Sequence, residues 1–110
     1  MRSLKAKAAT LAGMAVAATV VGGVNAAPAS AHVTSACARS TQAFIDTGSH
    51  PDRVGIRSSR CRHYSTIVCR NSAGARWTFT DRAATPSRAY NVNVCRSANP
   101  YLVAVQFHSH

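Results

Sequence analysis

The fold of this chain is decided by the segment from Cys61 to Cys95, which begins C-R-H-Y-S-T-I-V-C at residues 61–69 and ends Y-N-V-N-V-C at residues 90–95. Cysteine, β-branched and aromatic residues recur in it about every ten positions, with Asn, Ser, Gly and Pro between them. That spacing is typical of short β-strands joined by turns and pinned together by disulfides. The segment therefore predicts a small all-β domain.

Alternation of apolar and polar residues predicts five to six short strands across the domain. The candidate strands are residues 41–47, 53–57, 64–70, 76–81, 90–95 and 101–108, of which the first could instead be one helical turn. The loop N-S-A-G-A at residues 71–75 predicts a hairpin between its two neighbours. No internal linker is long enough to separate two domains, so we expect a single small disulfide-stapled barrel or sandwich.

In two of these candidate strands the apolar residues fall on one face. Trp77 and Phe79 are two residues apart, so they share one face of their strand and are predicted to be buried. In the next strand Tyr90, Val92 and Val94 form one face, and two asparagines and a cysteine form the other. An apolar face is thus available on this strand, as on most of the candidate strands.

The amino-terminal residues 1–31 have the pattern of a secretory signal peptide. Three basic residues precede an apolar run from Ala8 to Val24, and the small residues at 29 and 31 satisfy the A-x-A rule. We predict cleavage after Ala31, with cleavage after Ala26 as the alternative. The same run read as a retained membrane anchor is less favoured, because it is rich in Ala, Gly and Thr.

Cleavage after Ala31 leaves residues 32–110 as the mature domain, which we expect to be secreted, extracellular and monomeric, with no transmembrane anchor. Residues 32–36 are expected to be a frayed arm. A chain this short buries a modest apolar core, so covalent staples are expected.

The domain contains four cysteines, and an even number in a short exported chain predicts two disulfides. If residues 64–70 are extended, Cys61 and Cys69 lie up to about 26 Å apart at about 3.3 Å per residue. A disulfide needs Cα atoms within about 7 Å, so these two cysteines are not predicted to pair. We prefer Cys37 with Cys61 and Cys69 with Cys95. Cys37 with Cys69 and Cys61 with Cys95 is the alternative.

The charge of the domain is strongly positive. Three of the 13 basic residues lie in the signal segment, so the domain carries ten arginines against three aspartates, a formal charge of +7. Such a domain concentrates near polyanions such as wall polymers, acidic lipids or nucleic acid. Four arginines flank the central cysteines and are the predicted ligand-binding residues: Arg57, Arg60, Arg62 and Arg70.

The sequence predicts a secreted binding module for anionic cell-wall or surface polymers. Residues 1–110 contain no G-x-S-x-G elbow, and a ribonuclease-like pairing of His63 with His108 or His50 has no recognisable spacing, so we do not predict an enzyme. One alternative is a protease inhibitor that presents Arg60 or Arg62 to a trypsin-like protease, and another is an antimicrobial protein. A solvated face that only keeps the domain soluble is the simplest reading of the arginines. Nucleic acid is disfavoured as a partner by export.

A short stretch of the domain resembles bacterial SH3-like domains. V-G-I-R-S at residues 54–58, followed by Tyr64 and Ile67, is similar to their opening strand and loop, and V-N-V-C-R-S at residues 92–97 is a partial second copy. The resemblance covers about fifteen residues and implies a small β-barrel that binds cell-wall peptides. The chain departs from the family pattern at Ser59 and Arg60, which replace its Gly-Pro, and it lacks the closing G-W-V segment.

The histidines raise a lesser alternative, copper binding. Cleavage after Ala31 would expose His32, whose free amine and imidazole are the first two ligands of a histidine brace. His108 and His110 lie two residues apart on a predicted strand and could supply the third ligand. No other cofactor is predicted.

Overall fold

The computed structural model describes residues 9–10 and 29–110. Apart from Ala9 and Thr10, the apolar run of the predicted signal peptide lies outside the described residues. Within them the chain forms eight β-strands and one 3₁₀-helix. The strands are β1 (Ala9–Thr10), β2 (Ala29–Val33), β3 (Thr41–Asp46), β4 (Arg53–Ser58), β5 (His63–Arg70), β6 (Arg76–Thr80), β7 (Ser87–Val94) and β8 (Tyr101–Ser109), and the 3₁₀-helix is Ala38–Ser40.

The strands form two four-stranded sheets. One sheet has the order β1-β3-β4-β7 and the other has the order β2-β8-β5-β6. All pairs are antiparallel except β2 with β8, which is parallel. The prediction of a small all-β domain is confirmed, and of the two architectures considered the chain adopts the sandwich-like one. The predicted hairpin is β5–β6, joined at residues 71–75.

The core lies between the two sheets and is built by alternate residues of the strands. In β3 the buried positions are Thr41, Ala43 and Ile45, as expected for a period of two. The largest fully buried apolar side chains are Phe107, Ile45, Ile56, Ile67 and Val54. Both disulfides border this cluster, so the covalent staples and the apolar core stabilise the same layer.

The disulfide pairing is the one preferred from the sequence. Cys37 bonds Cys61 with Cα atoms 6.0 Å apart, and Cys69 bonds Cys95 with Cα atoms 5.8 Å apart. β5 extends between Cys61 and Cys69, which is why these two cysteines cannot pair. Two disulfides suggest an oxidising, extracellular environment. Within residues 9–10 and 29–110, no helix is long and apolar enough to cross a membrane.

The prediction of a frayed arm at residues 32–36 is wrong. Residues 29–33 form β2, which pairs in parallel with β8 from Ala29 opposite Val105 to Val33 opposite Ser109. Ala31 and Val33 are buried in the core, with 5% and 4% of their surfaces exposed. The alternation of these small apolar residues with Ser30 and His32 gives the segment one face that fits against the sandwich.

The predicted burial of Phe79 is wrong, and β7 does not turn its apolar face to the core. Phe79 is 44% exposed, whereas Trp77 is half-buried and packs against the core. β6 is an edge strand, and the ring of Phe79 stacks on the ring of Trp77 with the centroids 5.4 Å apart. In β7 the polar face points inward. Asn93 is buried and donates to the backbone oxygen of Ser65 on β5 at 3.2 Å, and Val92 and Val94 are exposed.

Candidate anion-binding cleft

One end of the first sheet carries a polar cleft of about 310 Å³. Five parts of the chain meet there: the 3₁₀-helix, strand β3, strand β4, the loop that follows β4, and the start of β7. Three arginines, three serines and a glutamine line it: Arg39, Ser40, Gln42, Arg57, Ser59, Ser87 and Arg88. Every lining side chain is therefore cationic or a neutral hydrogen-bonding group.

Arg57 is held rigidly at this cleft. Its Nε donates to Oε1 of Gln42 at 2.9 Å, and its Nη2 donates to the same oxygen. Its Nη1 donates to the backbone oxygen of Arg88 at 3.2 Å, and its Cζ lies 4.6 Å above the ring of Tyr90. All of these partners are neutral, so they fix the guanidinium in position without compensating its positive charge.

Arg39 and Arg88 complete the cationic lining from two other elements. Both are exposed, and within residues 29–110 neither guanidinium makes a hydrogen bond or an ion pair. Ser87 accepts a hydrogen bond from the backbone nitrogen of Ala89 at 3.0 Å, so its hydroxyl proton remains able to donate. The cleft thus combines one fixed cation with two adjustable ones.

The three aspartates of the described residues lie outside the cleft. Asp46 pairs with Arg53 at 3.1 Å, and Asp52 is buried and pairs with His50 at 2.6 Å. Asp81 is a further acidic group, and burial raises the pKa of its carboxyl above the ordinary range. Since none of these carboxylates lines the cleft, its arginines create a local positive potential that attracts anions.

The disulfide between Cys37 and Cys61 fixes two walls of the cleft. Arg39 and Ser40 lie two and three residues after the first cysteine in the 3₁₀-helix, and Ser59 lies two residues before the second. The backbone nitrogen of Ser59 also donates to the backbone oxygen of Ser40 at 3.3 Å. The 3₁₀-helix and the loop after β4 are therefore tied together both covalently and by a hydrogen bond.

The structure brings together only part of the predicted arginine set. Arg57 lines the cleft, and Arg60 is exposed in the loop beside it. Arg62 is exposed just before β5 and Arg70 ends that strand, so the two lie about 26 Å apart at about 3.3 Å per residue. Arg70 lies over the ring of Tyr101 at 5.1 Å, away from the cleft.

Two of the lining arginines were missed from the sequence. Arg39 could have been found, because it lies two residues after Cys37 and the preferred disulfide places that cysteine beside the loop of Arg60. Arg88 could not, because it reaches the cleft through the pairing of β7 with β4, in which Ser87 lies opposite Ser58. That pairing joins segments about thirty residues apart and has no local sequence signal.

The three predicted metal-binding histidines lie on the outer face of the second sheet. The rings of His32 and His108 are 5.4 Å apart, Tyr64 stacks on His108 at 4.3 Å, and His110 packs edge-on against Tyr64. Burial lowers the pKa of His108, and the neighbouring His32 and His110 lower it further. Among the described residues, no group of three or more His, Cys, Asp or Glu side chains is arranged to hold a metal ion.

His63, which both ribonuclease-like pairings require, is fully buried between the sheets. Its Nδ1 lies 2.9 Å from the backbone oxygen of Cys61, and its Nε2 has no hydrogen-bond partner in the described part of the chain. It faces the core, whereas His108 lies on the opposite face of the same sheet. The structure therefore does not bring these two histidines together.

Comparison with known proteins identifies no relative of this chain. No protein-family model, no curated protein and no solved structure matches the chain.

Proposed function

We propose that the protein is a secreted basic binding module that binds anionic polymers of the cell wall or cell surface. The observation that carries the proposal is the cleft in which Arg39, Arg57 and Arg88 meet without a carboxylate. Arginine suits this role because its planar guanidinium pairs with phosphate and carboxylate groups through two parallel hydrogen bonds.

The arrangement of the arginines supports binding better than a role in solubility alone. Arginines that only keep a domain soluble are expected to be dispersed, but here one is clamped by Gln42 and by a backbone oxygen. Two disulfides limit the motion of the scaffold and reduce the ordering cost on binding. The remaining arginines raise the local concentration of any polyanion through a long-range, salt-sensitive attraction.

Co-sedimentation with insoluble peptidoglycan sacculi tests this proposal. The oxidised protein is incubated with sacculi at about 0.05 M and about 0.5 M salt, a range over which the screening length falls about threefold. The cleft variant is R39Q/R88Q. The matched control is R76Q/R82Q, which removes the same charge from two exposed arginines outside the cleft.

We expect the wild-type protein and the control to sediment with sacculi at low salt and the cleft variant to remain mostly in the supernatant. Retention of the wild-type protein at high salt would add evidence for a specific cleft. Equal losses in both variants would show that net charge alone drives adsorption, and the cleft assignment would then be wrong. Absence of binding at both salt concentrations would refute the proposed function.

Protease inhibition is a second candidate, favoured by the geometry around Arg60. This residue is exposed beside the Cys37–Cys61 disulfide, and the backbone nitrogens of Arg60 and Cys61 both lie within hydrogen-bonding distance of Oγ of Ser58. A loop fixed in this way presents an arginine at low entropic cost. Dose-dependent inhibition of trypsin that disappears in R60A would support it, and unchanged trypsin activity would exclude it.

A further inference from the structure

The donors of the cleft reach it from three separate directions. Arg39 comes from the 3₁₀-helix, Ser59 from the loop after β4, and Ser87 with Arg88 from the start of β7. A carboxylate has two oxygens in one plane and is satisfied by a single guanidinium fork. A phosphodiester group is tetrahedral, so its two charged oxygens and its two ester oxygens do not share one plane, and it can meet donors that approach from several sides.

The charge of the cleft favours a chain of anionic groups over a single anion. Three guanidiniums meet with no neighbouring carboxylate, so one bound monovalent anion would leave most of the positive charge uncompensated. A chain of phosphodiesters compensates it, because successive phosphates can pair with different arginines. Arg57 keeps its position through Gln42 and Tyr90, and the exposed Arg39 and Arg88 can adjust to the spacing of the polymer.

We propose that the cleft binds phosphate groups in diester linkage, as in a polyol-phosphate polymer of the cell wall, in preference to carboxylate groups. This proposal rests on the proposed function and narrows its ligand. Arg39 and Arg88 contact the phosphate oxygens, Ser59 and Ser87 donate further hydrogen bonds, and Arg57 supplies the fixed positive charge.

Isothermal titration calorimetry with soluble oligomers tests this selectivity. The probes are a short synthetic glycerol phosphate oligomer, a glutamate oligomer of equal charge, and vesicles containing phosphatidylglycerol. Each is titrated into the wild-type protein, the cleft variant R39Q/R88Q and the control R76Q/R82Q. The affinities of the wild-type protein and of R39Q/R88Q for the glycerol phosphate oligomer are also measured as a function of salt concentration.

We expect the glycerol phosphate oligomer to bind about tenfold or more tightly than the glutamate oligomer. Loss of each cleft arginine removes a charge-assisted contact, so R39Q/R88Q should lose about tenfold or more in affinity. The slope of log affinity against log salt should fall by about 0.7 to 1 for each arginine removed from the cleft. R76Q/R82Q should keep both the affinity and the preference.

Three results would overturn this proposal. Equal affinity for the glutamate oligomer would remove the preference for phosphate, while binding to sacculi would still support the proposed function. An unchanged affinity of R39Q/R88Q would show that the oligomer binds outside the cleft. Tighter binding to the vesicles than to the oligomer would assign the cleft to lipid headgroups. Failure to bind sacculi as well would refute the proposed function itself.

Discussion

Removal of the first three residues of β2 should destabilise the domain. Cleavage after Ala31 would produce a chain of residues 32–110, and cleavage after Ala26 would produce residues 27–110 with β2 complete. The shorter chain loses the pairs Ala29–Val105, Ser30–Gln106 and Ala31–Phe107. β2 therefore favours cleavage after Ala26, the alternative site, over the site preferred from the sequence. We predict that the longer chain is the more stable of the two and is the secreted form.

The size of the effect follows from the lost contacts. Ala31 is 5% exposed and Ala29 packs partly against the core. The two methyl groups and the surface they cover on β8 contribute about 3 kcal/mol, and the hydrogen bonds of three paired residues contribute about 3 kcal/mol. Ordering three residues costs about 4 kcal/mol. The net loss is about 2 kcal/mol, a large share of the roughly 4 to 12 kcal/mol expected for a domain of this size.

Urea unfolding of the two oxidised chains measures this difference. We expect the midpoint of residues 32–110 to lie about 1 to 2 M below that of residues 27–110, and its melting temperature to be lower by about 8 to 16 °C. An acetylated form of residues 32–110 is the control, because it removes the new ammonium charge but does not restore the strand. Equal midpoints for all three chains would show that residues 29–31 contribute nothing to stability.

The same comparison decides whether the copper hypothesis applies. A histidine brace requires the free amine of His32, and in the longer chain that nitrogen is a peptide nitrogen inside β2. The intact mass of the secreted protein therefore identifies the amino terminus directly. If the mass corresponds to residues 32–110, titration with Cu(II) becomes the next measurement.

Three further predictions concern packing, the disulfide and pH. Gly55→Ala should destabilise the protein by about 1 to 3 kcal/mol, because the added Cβ would lie 2.7 Å from Cζ of Phe44. Thermal unfolding measures this loss of stability, and an unchanged melting temperature would contradict the predicted clash. C37S/C61S removes a disulfide between residues 24 positions apart. It should lower the free energy of unfolding measured in urea by about 3 kcal/mol, and it should weaken binding to sacculi. Unaltered binding would show that the cleft does not need the Cys37–Cys61 disulfide. The folded-state pKa of His108 is lowered, so the unfolded chain binds its proton more readily. The free energy of unfolding should therefore be highest above about pH 6.5 and should decrease as the pH falls below that value. H108Q should make the free energy of unfolding depend less on pH. An equally steep dependence in H108Q would show that His108 is not the group responsible.

The strands and the disulfides could be predicted because they depend on local patterns. The alternation in residues 64–70 identifies β5, and an extended β5 excludes a bond between Cys61 and Cys69. Of the two remaining sets of disulfides, the preferred one is correct, and it joins the cysteines that are closer in sequence. The resemblance to SH3-like domains at residues 54–68 stays a prediction.

β2 was missed for two physical reasons. Its residues fall where the sequence also satisfies the small-residue rule for signal cleavage, and one segment can meet both requirements. Its partner is β8, more than seventy residues away, and such a parallel pairing has no local turn signal. Only the placement of the whole second sheet reveals that Ala31 and Val33 are buried.

The orientation of β7 shows why alternation alone cannot assign a core face. Tyr90, Val92 and Val94 form the more apolar face, but Cys95 must reach Cys69 on β5, and this disulfide directs the other face inward. Asn93 then satisfies the buried backbone of β5 with its side-chain amide. The same orientation places Tyr90 on the outer face, where it packs against Arg57 and holds that arginine at the cleft. The Cys69–Cys95 disulfide turns the more apolar face of β7 away from the core, and in doing so it also positions part of the proposed binding site.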